Sequence, residues 1–167
     1  MSINNNYTLT NVWENKSDAL KEEIVNFWLR ERALGSREQA AGRVNQVAMI
    51  ARDSFGELVG ICTVYPRRHP QLRHNFYHFR TFVGAMHRQN LIAAQFAVQT
   101  RDYFNDRFVA GHDQHIIGIL VEAENEILKT KHTLAIWPHS GMVFVGYNQR
   151  GDHIRVFYFD GARIQPG

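Results

Sequence analysis

Thr81-Phe82-Val83-Gly84-Ala85-Met86-His87-Arg88-Gln89-Asn90-Leu91-Ile92-Ala93 joins two segments of different periodicity. Upstream, Asn75 to Val83 is rich in aromatic and β-branched residues and reads as a strand. Downstream, Gln89 to Phe104 carries apolar residues at Ile92, Phe96 and Tyr103, with Val98 or Gln99 between, which is helical spacing. A strand that turns through a short loop into a helix presents free backbone N–H groups at the helix start. Anions bind at such places. Arg88 stands there as a cation for the anion.

The flanks extend the pattern. Tyr7 to Trp13 alternates as a first strand. Ser17 is an N-cap with Asp18 in the first turn, and Leu20, Ile24, Phe27, Trp28 and Leu34 space a helix over Asp18 to Ala33 that Gly35 ends. Ser36 with Gln39 has the capping-box pattern and opens a short helix near Arg37 to Gln46. Val47 to Ala51 and Leu58 to Tyr65 flank the turn residues Asp53-Ser54-Phe55-Gly56-Glu57 as a hairpin. Ile116 to Val121 is a continuous apolar run, which suits a strand covered on both faces. Glu124 to Lys131 is a short helix. Met142 to Tyr147 and His153 to Phe159 form a second hairpin around Asn148-Gln149-Arg150-Gly151-Asp152. The order β-α-α-β-β-β-α-β-α-β-β predicts an α/β (α+β) fold, a mixed and largely antiparallel sheet flanked by helices. With 167 residues, the expectation is a single domain over 1–167.

This order, over nearly the whole chain, resembles the GNAT superfamily of acyl-CoA-dependent N-acyltransferases. The opening stretch carries the local resemblance. Arg88 and Ala93 match the ends of the family's [Q/R]-x-x-G-x-[G/A] loop, and Leu91 stands where the central glycine belongs. Gly118-Ile119-Leu120-Val121-Glu122-Ala123-Glu124-Asn125 and Gly141-Met142-Val143-Phe144-Val145-Gly146-Tyr147 resemble two later segments of the family.

The resemblance implies that coenzyme A enters a wedge between the middle strands. Its pyrophosphate would lie on the loop Arg88, Gln89, Asn90, Leu91, Ile92 and Ala93, and its pantetheine arm near Asn125. Glycine lets a backbone approach phosphate without a Cβ in the way, so Leu91 is a departure. Backbone N–H groups of Phe82 and Val83 would polarise the thioester carbonyl. The position of a strand carboxylate used as base in several members is Tyr77. No carboxylate lies between Glu57 and Asp102, so the candidate bases are His78, with an ordinary pKa near neutral, and Glu122. The candidate acids are Tyr77 and His132, the latter at the position where relatives often carry a tyrosine, with Trp137 as a competitor.

Each candidate also has a structural reading. His78 sits among Phe76, Tyr77 and Phe79 and can be a hydrogen-bonded core histidine. Glu122 can pair with Arg80. His132 can close a helix and Asn125 can open one. Trp28, Phe27 and Arg32 lie on the helix that lines the acceptor site in the family, and can equally be core or surface. A catalytically degenerate GNAT-like binding module is therefore the alternative function, favoured by Leu91 and the absent strand carboxylate.

Composition sets limits. Hydrophobic residues are 44% and charged residues 21%, which excludes disordered and fibrous classes. Cys62 is the only cysteine, so no intramolecular disulfide and no cysteine-cluster metal site can form. No apolar run approaches a membrane span, and Met1 to Asn6 is polar, so the expected location is cytoplasmic. Among nine histidines there is no HExxH, and a metal is not expected. The net charge of +3 is too small for a dedicated nucleic-acid binder. Arg67, Arg68, His69, Arg73 and His74, around Pro66 and Pro70, read as a solvated loop or as a contact for phosphate or an anionic substrate. The expected partners are an acyl-CoA and an amine on a small molecule or protein, with no membrane. The oligomeric state is open, a homodimer included.

Overall fold

Ser17 and Ser36 each do what their positions require. The Ser17 hydroxyl accepts from the Leu20 N–H at 3.1 Å and starts helix α1, Asp18–Arg30. The Ser36 hydroxyl accepts from Gln39 at 3.1 Å and starts α2, Arg37–Arg43. Such caps contribute about 1 kcal/mol each. The computed structural model describes residues 6–88 and 91–167. The remaining elements are β1 (Thr8–Asn11), a 3₁₀ turn (Val44–Gln46), β2 (Val47–Arg52), β3 (Leu58–Arg68), β4 (Asn75–Val83), a second 3₁₀ turn (Ala85–His87), α3 (Ile92–Val109), β5 (Ile116–Ala123), α4 (Glu126–Lys131), β6 (Val143–Tyr147) and β7 (His153–Tyr158).

The strands form a seven-stranded sheet in the order β1-β2-β3-β4-β5-β7-β6. The β1–β2, β2–β3, β5–β7 and β6–β7 pairs are antiparallel, and β4–β5 is parallel. This is the mixed, largely antiparallel sheet expected.

The chain packs as two compact units. The first takes residues up to Val64 together with Arg80–Phe96. Its core joins Ile24, Val25, Phe27 and Trp28 of α1 to Val47, Ile50, Leu58 and Ile61 of the sheet. Each such side chain contributes roughly 1.5–3 kcal/mol by burial. Gly60 leaves β3 bare where α3 crosses it. A Cβ there would lie 3.2 Å from Phe96 and 3.4 Å from Ile92, and both of those side chains are buried.

The second unit takes Tyr65–Phe79 and Ala97–Gly167. Phe76, Ile117, Leu120, Ile154 and Val156 form a core cluster. Arg155 is buried on β7 with no carboxylate partner among the described residues. Its guanidinium donates to the carbonyls of His132, Leu134 and Ala135 and lies 4.4 Å over the Trp137 ring, so it ties the segment after α4 to the sheet.

Three sequence expectations need correcting. The basic stretch is not a loop throughout, because β3 runs on through Pro66 to Arg68. Its member His69 is not solvated but buried. Helix α3 continues five residues past Phe104, because Phe104 and Phe108, one turn apart, are both buried and prolong its apolar face.

Candidate functional site

The end of β4 and the loop that follows lie in the first unit. The Gly84 N–H donates to the Val59 carbonyl at 2.8 Å, and the His87 N–H returns to the Gly84 carbonyl at 2.9 Å, closing the 3₁₀ turn. Tyr7 clamps this turn. Its hydroxyl is 2.8 Å from His87 Nδ1, and the rings meet edge-on. Next in the chain, Arg88 folds back on the strand. Its Nε donates to the Val83 carbonyl at 3.1 Å and its guanidinium covers the Phe82 ring at 5.6 Å. Gln89 and Asn90 lie outside the described residues.

Leu91 has φ +55°, in the left-handed region that favours glycine. A leucine holds that conformation at a cost of roughly 1–2 kcal/mol. Its carbonyl accepts from Gln95 at 3.0 Å and so opens α3, while its side chain is 49% exposed. The Leu91 backbone thus takes the turn that a glycine would take. Ile92 faces the core and Ala93 is exposed.

Sequence reasoning missed one carboxylate here. Glu31, at the C-terminal end of α1, brings Oε1 to 3.2 Å from the place a Cβ on Gly84 would occupy. It is half-buried, and no hydrogen bond or ion pair holds its carboxylate among the described residues. Nothing in the local pattern marks it, because a helix-end glutamate looks like any solvated one.

The histidine candidates lie in the second unit. His78 is stacked between Tyr65, at 5.2 Å, and His69, at 6.0 Å. It is 7% exposed and its Nε2 has no hydrogen-bond partner among the described residues. Burial, with added repulsion from His69, pushes its pKa down to about 4. The ordinary near-neutral value assumed for it as a base therefore does not hold. His69 Nδ1 faces the backbone N–H groups of Gln71 and Leu72, both at 3.3 Å, which assigns the proton to Nε2. Nε2 then donates to Glu122 Oε1 at 3.0 Å. Glu122 Oε2 accepts from Asn148 at 2.9 Å, with Arg150 at 3.7 Å. Burial alone would raise the Glu122 pKa, but the hydrogen bonds from Asn148 and His69 outweigh it and hold the carboxyl below its usual range. Arg80, expected as its partner, donates instead to Gln46.

The other candidates stand apart from this cluster. Tyr77 points to the opposite face of β4, against Phe104 at 4.3 Å and Phe159 at 6.3 Å, as strand alternation requires. Burial pushes its phenol up to about 12. His132 follows α4 with an exposed imidazole, and its carbonyl accepts from the Trp137 indole at 3.0 Å. Asn125 caps α4 by accepting from Ile127 at 2.7 Å. Among the described residues no group of three His, Cys, Asp or Glu side chains is placed to hold a metal, and no helix is long and apolar enough to cross a membrane.

No family model matches the sequence, and no curated protein matches it. Solved structures do. A ribosomal-protein-S5-alanine acetyltransferase from Vibrio fischeri superposes with TM-score 0.62 at 16% identity, over 95% of this chain and 96% of that one. A GCN5-related N-acetyltransferase from Kribbella flavida gives 0.62 at 16%, over 92% and 98%. This is the GNAT fold. A mutant AtaT toxin bound to the C-terminus of the antitoxin AtaR and acetyl-CoA shares it, with TM-score 0.56 at 14% identity over 94% and 96%. A GNAT fold at such low identity is a divergent one, in keeping with Leu91 at the glycine position.

Proposed function

We propose that the chain is an N-acyltransferase that moves an acetyl or other short acyl group from coenzyme A to an amine. The amine belongs to a small molecule or a protein. The left-handed backbone of Leu91 carries this reading, because it keeps the glycine path of a pyrophosphate loop despite the side chain. Phosphate would sit on the first N–H groups of α3. Arg88 would swing from the Val83 carbonyl to meet it, and Phe82 and Val83 would line the thioester.

In the reaction the amine nitrogen attacks the thioester carbon. The C–N bond forms, the C–S bond breaks, and the thiolate leaves to take up a proton. An ammonium cannot attack, so its proton must first go to a base. His78, at about 4, is a weak base near neutral pH, and the Glu122 carboxylate already has three partners. Glu31, unpaired among the described residues and at the end of β4, is the better acceptor. Positioning supplies much of the rest, up to about 7–11 kcal/mol.

Isothermal titration with acetyl-CoA tests the proposal. Binding is expected, weakened by Arg88→Ala, and no heat up to millimolar ligand would reject it. The second reading, a degenerate binding module, is favoured by the engagement of Glu122 and the low pKa of His78. It predicts acetyl-CoA binding or partner capture with no turnover on any amine of a broad panel.

A further inference from the structure

The second unit holds a cavity of about 690 Å³ where β3 ends and β4 begins. Arg68, Arg73 and Arg163 line it, with His74 and His115, and no Asp or Glu does. The three guanidiniums have no carboxylate or carbonyl partner among the described residues. By contrast, Arg37, Arg52, Arg101 and Arg150 each pair with a carboxylate. Three guanidiniums lining one concave wall, with Gly167 beside Arg73, repel one another, and the wall focuses their field. An arrangement of this kind is stabilised by an anion.

The backbone that carries Arg73 and Arg163 is held in place, while the three arginines are exposed. Arg73 sits at φ +56° in a turn closed by its N–H to the His69 carbonyl at 2.8 Å and by the His69 N–H to the His74 carbonyl at 2.9 Å. His74 Nδ1 donates to the Leu72 carbonyl at 2.7 Å, and its Nε2 accepts the Gln165 N–H at 2.8 Å. That bond fixes the segment carrying Arg163 beside Arg73. Phe108 and Ile117 add apolar wall.

We propose that this groove binds a nucleotide carrying a diphosphate. Guanidinium forks match phosphate oxygens two at a time, and three of them suit two phosphates. The apolar wall and the volume exceed what inorganic diphosphate needs and leave room for a base and sugar. The site is independent of the acyl-transfer reading, which turnover on an amine and the Arg88→Ala effect on acetyl-CoA binding test separately.

The experiment is calorimetric titration of the full chain with ADP and with inorganic diphosphate, at about 50 and about 200 mM salt. ADP is expected to bind, more tightly than inorganic diphosphate and more weakly at the higher salt. Arg73→Ala with Arg163→Ala is expected to cost about tenfold or more in affinity, since charge-assisted bonds are lost. Arg37→Ala, a surface arginine outside the groove, is expected to leave ADP binding unchanged. Arg163→Glu alone serves as a second variant if the double substitution lowers the melting temperature. The proposal is overturned by no ADP binding, by equal binding of inorganic diphosphate, by insensitivity to the Arg73 and Arg163 changes, or by an equal loss with Arg37→Ala. A gel shift with RNA that survives the higher salt while ADP fails would assign the groove to nucleic acid and overturn it too.

Discussion

Glu31 Oε1 lies 3.2 Å from the point that a Cβ on Gly84 would take, so a carboxylate from the end of α1 reaches the end of β4. If Glu31 takes the proton from the amine, Glu31→Gln should lower turnover by about 10²–10⁴-fold while leaving acetyl-CoA affinity intact. Gly84→Ala puts a methyl group against the same carboxylate and should lower turnover by a smaller factor. Steady-state rates with an amine that the wild type acylates give the answer, and full activity in Glu31→Gln would remove the residue from the mechanism.

Leu91 offers a substitution that should improve the fold. Leu91→Gly relieves a left-handed leucine, worth roughly 1–2 kcal/mol, against an unfolded-state entropy cost of roughly 0.5–1 kcal/mol. The side chain is half exposed, so little burial is lost. The net effect expected in urea melts is a gain of up to about 1 kcal/mol, with acetyl-CoA binding retained or tightened. Leu91→Val, β-branched at positive φ, should be less stable than wild type. Stabilisation by valine would contradict the backbone argument.

His78 makes stability depend on pH. Its pKa is about 4 in the folded chain against an ordinary 6.5. Between these values the unfolded state binds a proton that the folded state refuses, so stability falls as pH falls. The slope approaches 1.4 kcal/mol per pH unit, and the loss totals roughly 3 kcal/mol at pH values under the folded pKa. Glu122, held low by Asn148 and His69, adds a loss only below its unfolded value of about 4.5. Denaturant melts from pH 8 down to pH 4 should show the decline beginning near 6.5. His78→Phe should flatten the part above 4.5, and an unchanged slope in that variant would mean another group is responsible.

Local chemistry made most of the elements legible. Ser17 and Ser36 marked helix starts through caps that need only three residues, and Asn75 to Val83 was bounded by its own aromatic run. The residues that escaped depend on distant partners. Glu31 matters only because Gly84 comes to it, and Tyr7 only because His87 does. His69 looked solvated among arginines, yet Glu122 and two backbone N–H groups give it buried partners. Arg155, on a hairpin strand, is buried against three carbonyls that no periodicity reveals. The Arg88 to Ala93 loop was found because its pattern is local, but its left-handed turn at Leu91 is a backbone property that leucine does not advertise.

Gly118 is the position where the sheet tolerates least. A Cβ there would run into the carbonyl oxygen of Phe157, and the obstacle is backbone on the paired strand β7. No rotamer change relieves it. β5 and β7 would have to separate around the Gly118–Tyr158 pair, next to the bond from the Phe159 N–H to the Ile117 carbonyl. Gly118→Ala should therefore destabilise the chain by about 1–3 kcal/mol or more, the range for overpacking. It should also speed amide exchange along β5 as far as Glu122, which loosens the His69 contact. Gly42→Ala is the control. It lies in α2 with nothing within 4 Å of an added Cβ, and alanine there should stabilise by up to about 1 kcal/mol. Opposite signs for the two glycine-to-alanine changes, read from melts and hydrogen exchange, are the expected result. A neutral Gly118→Ala would show that β5 and β7 do not pair as closely as the register requires.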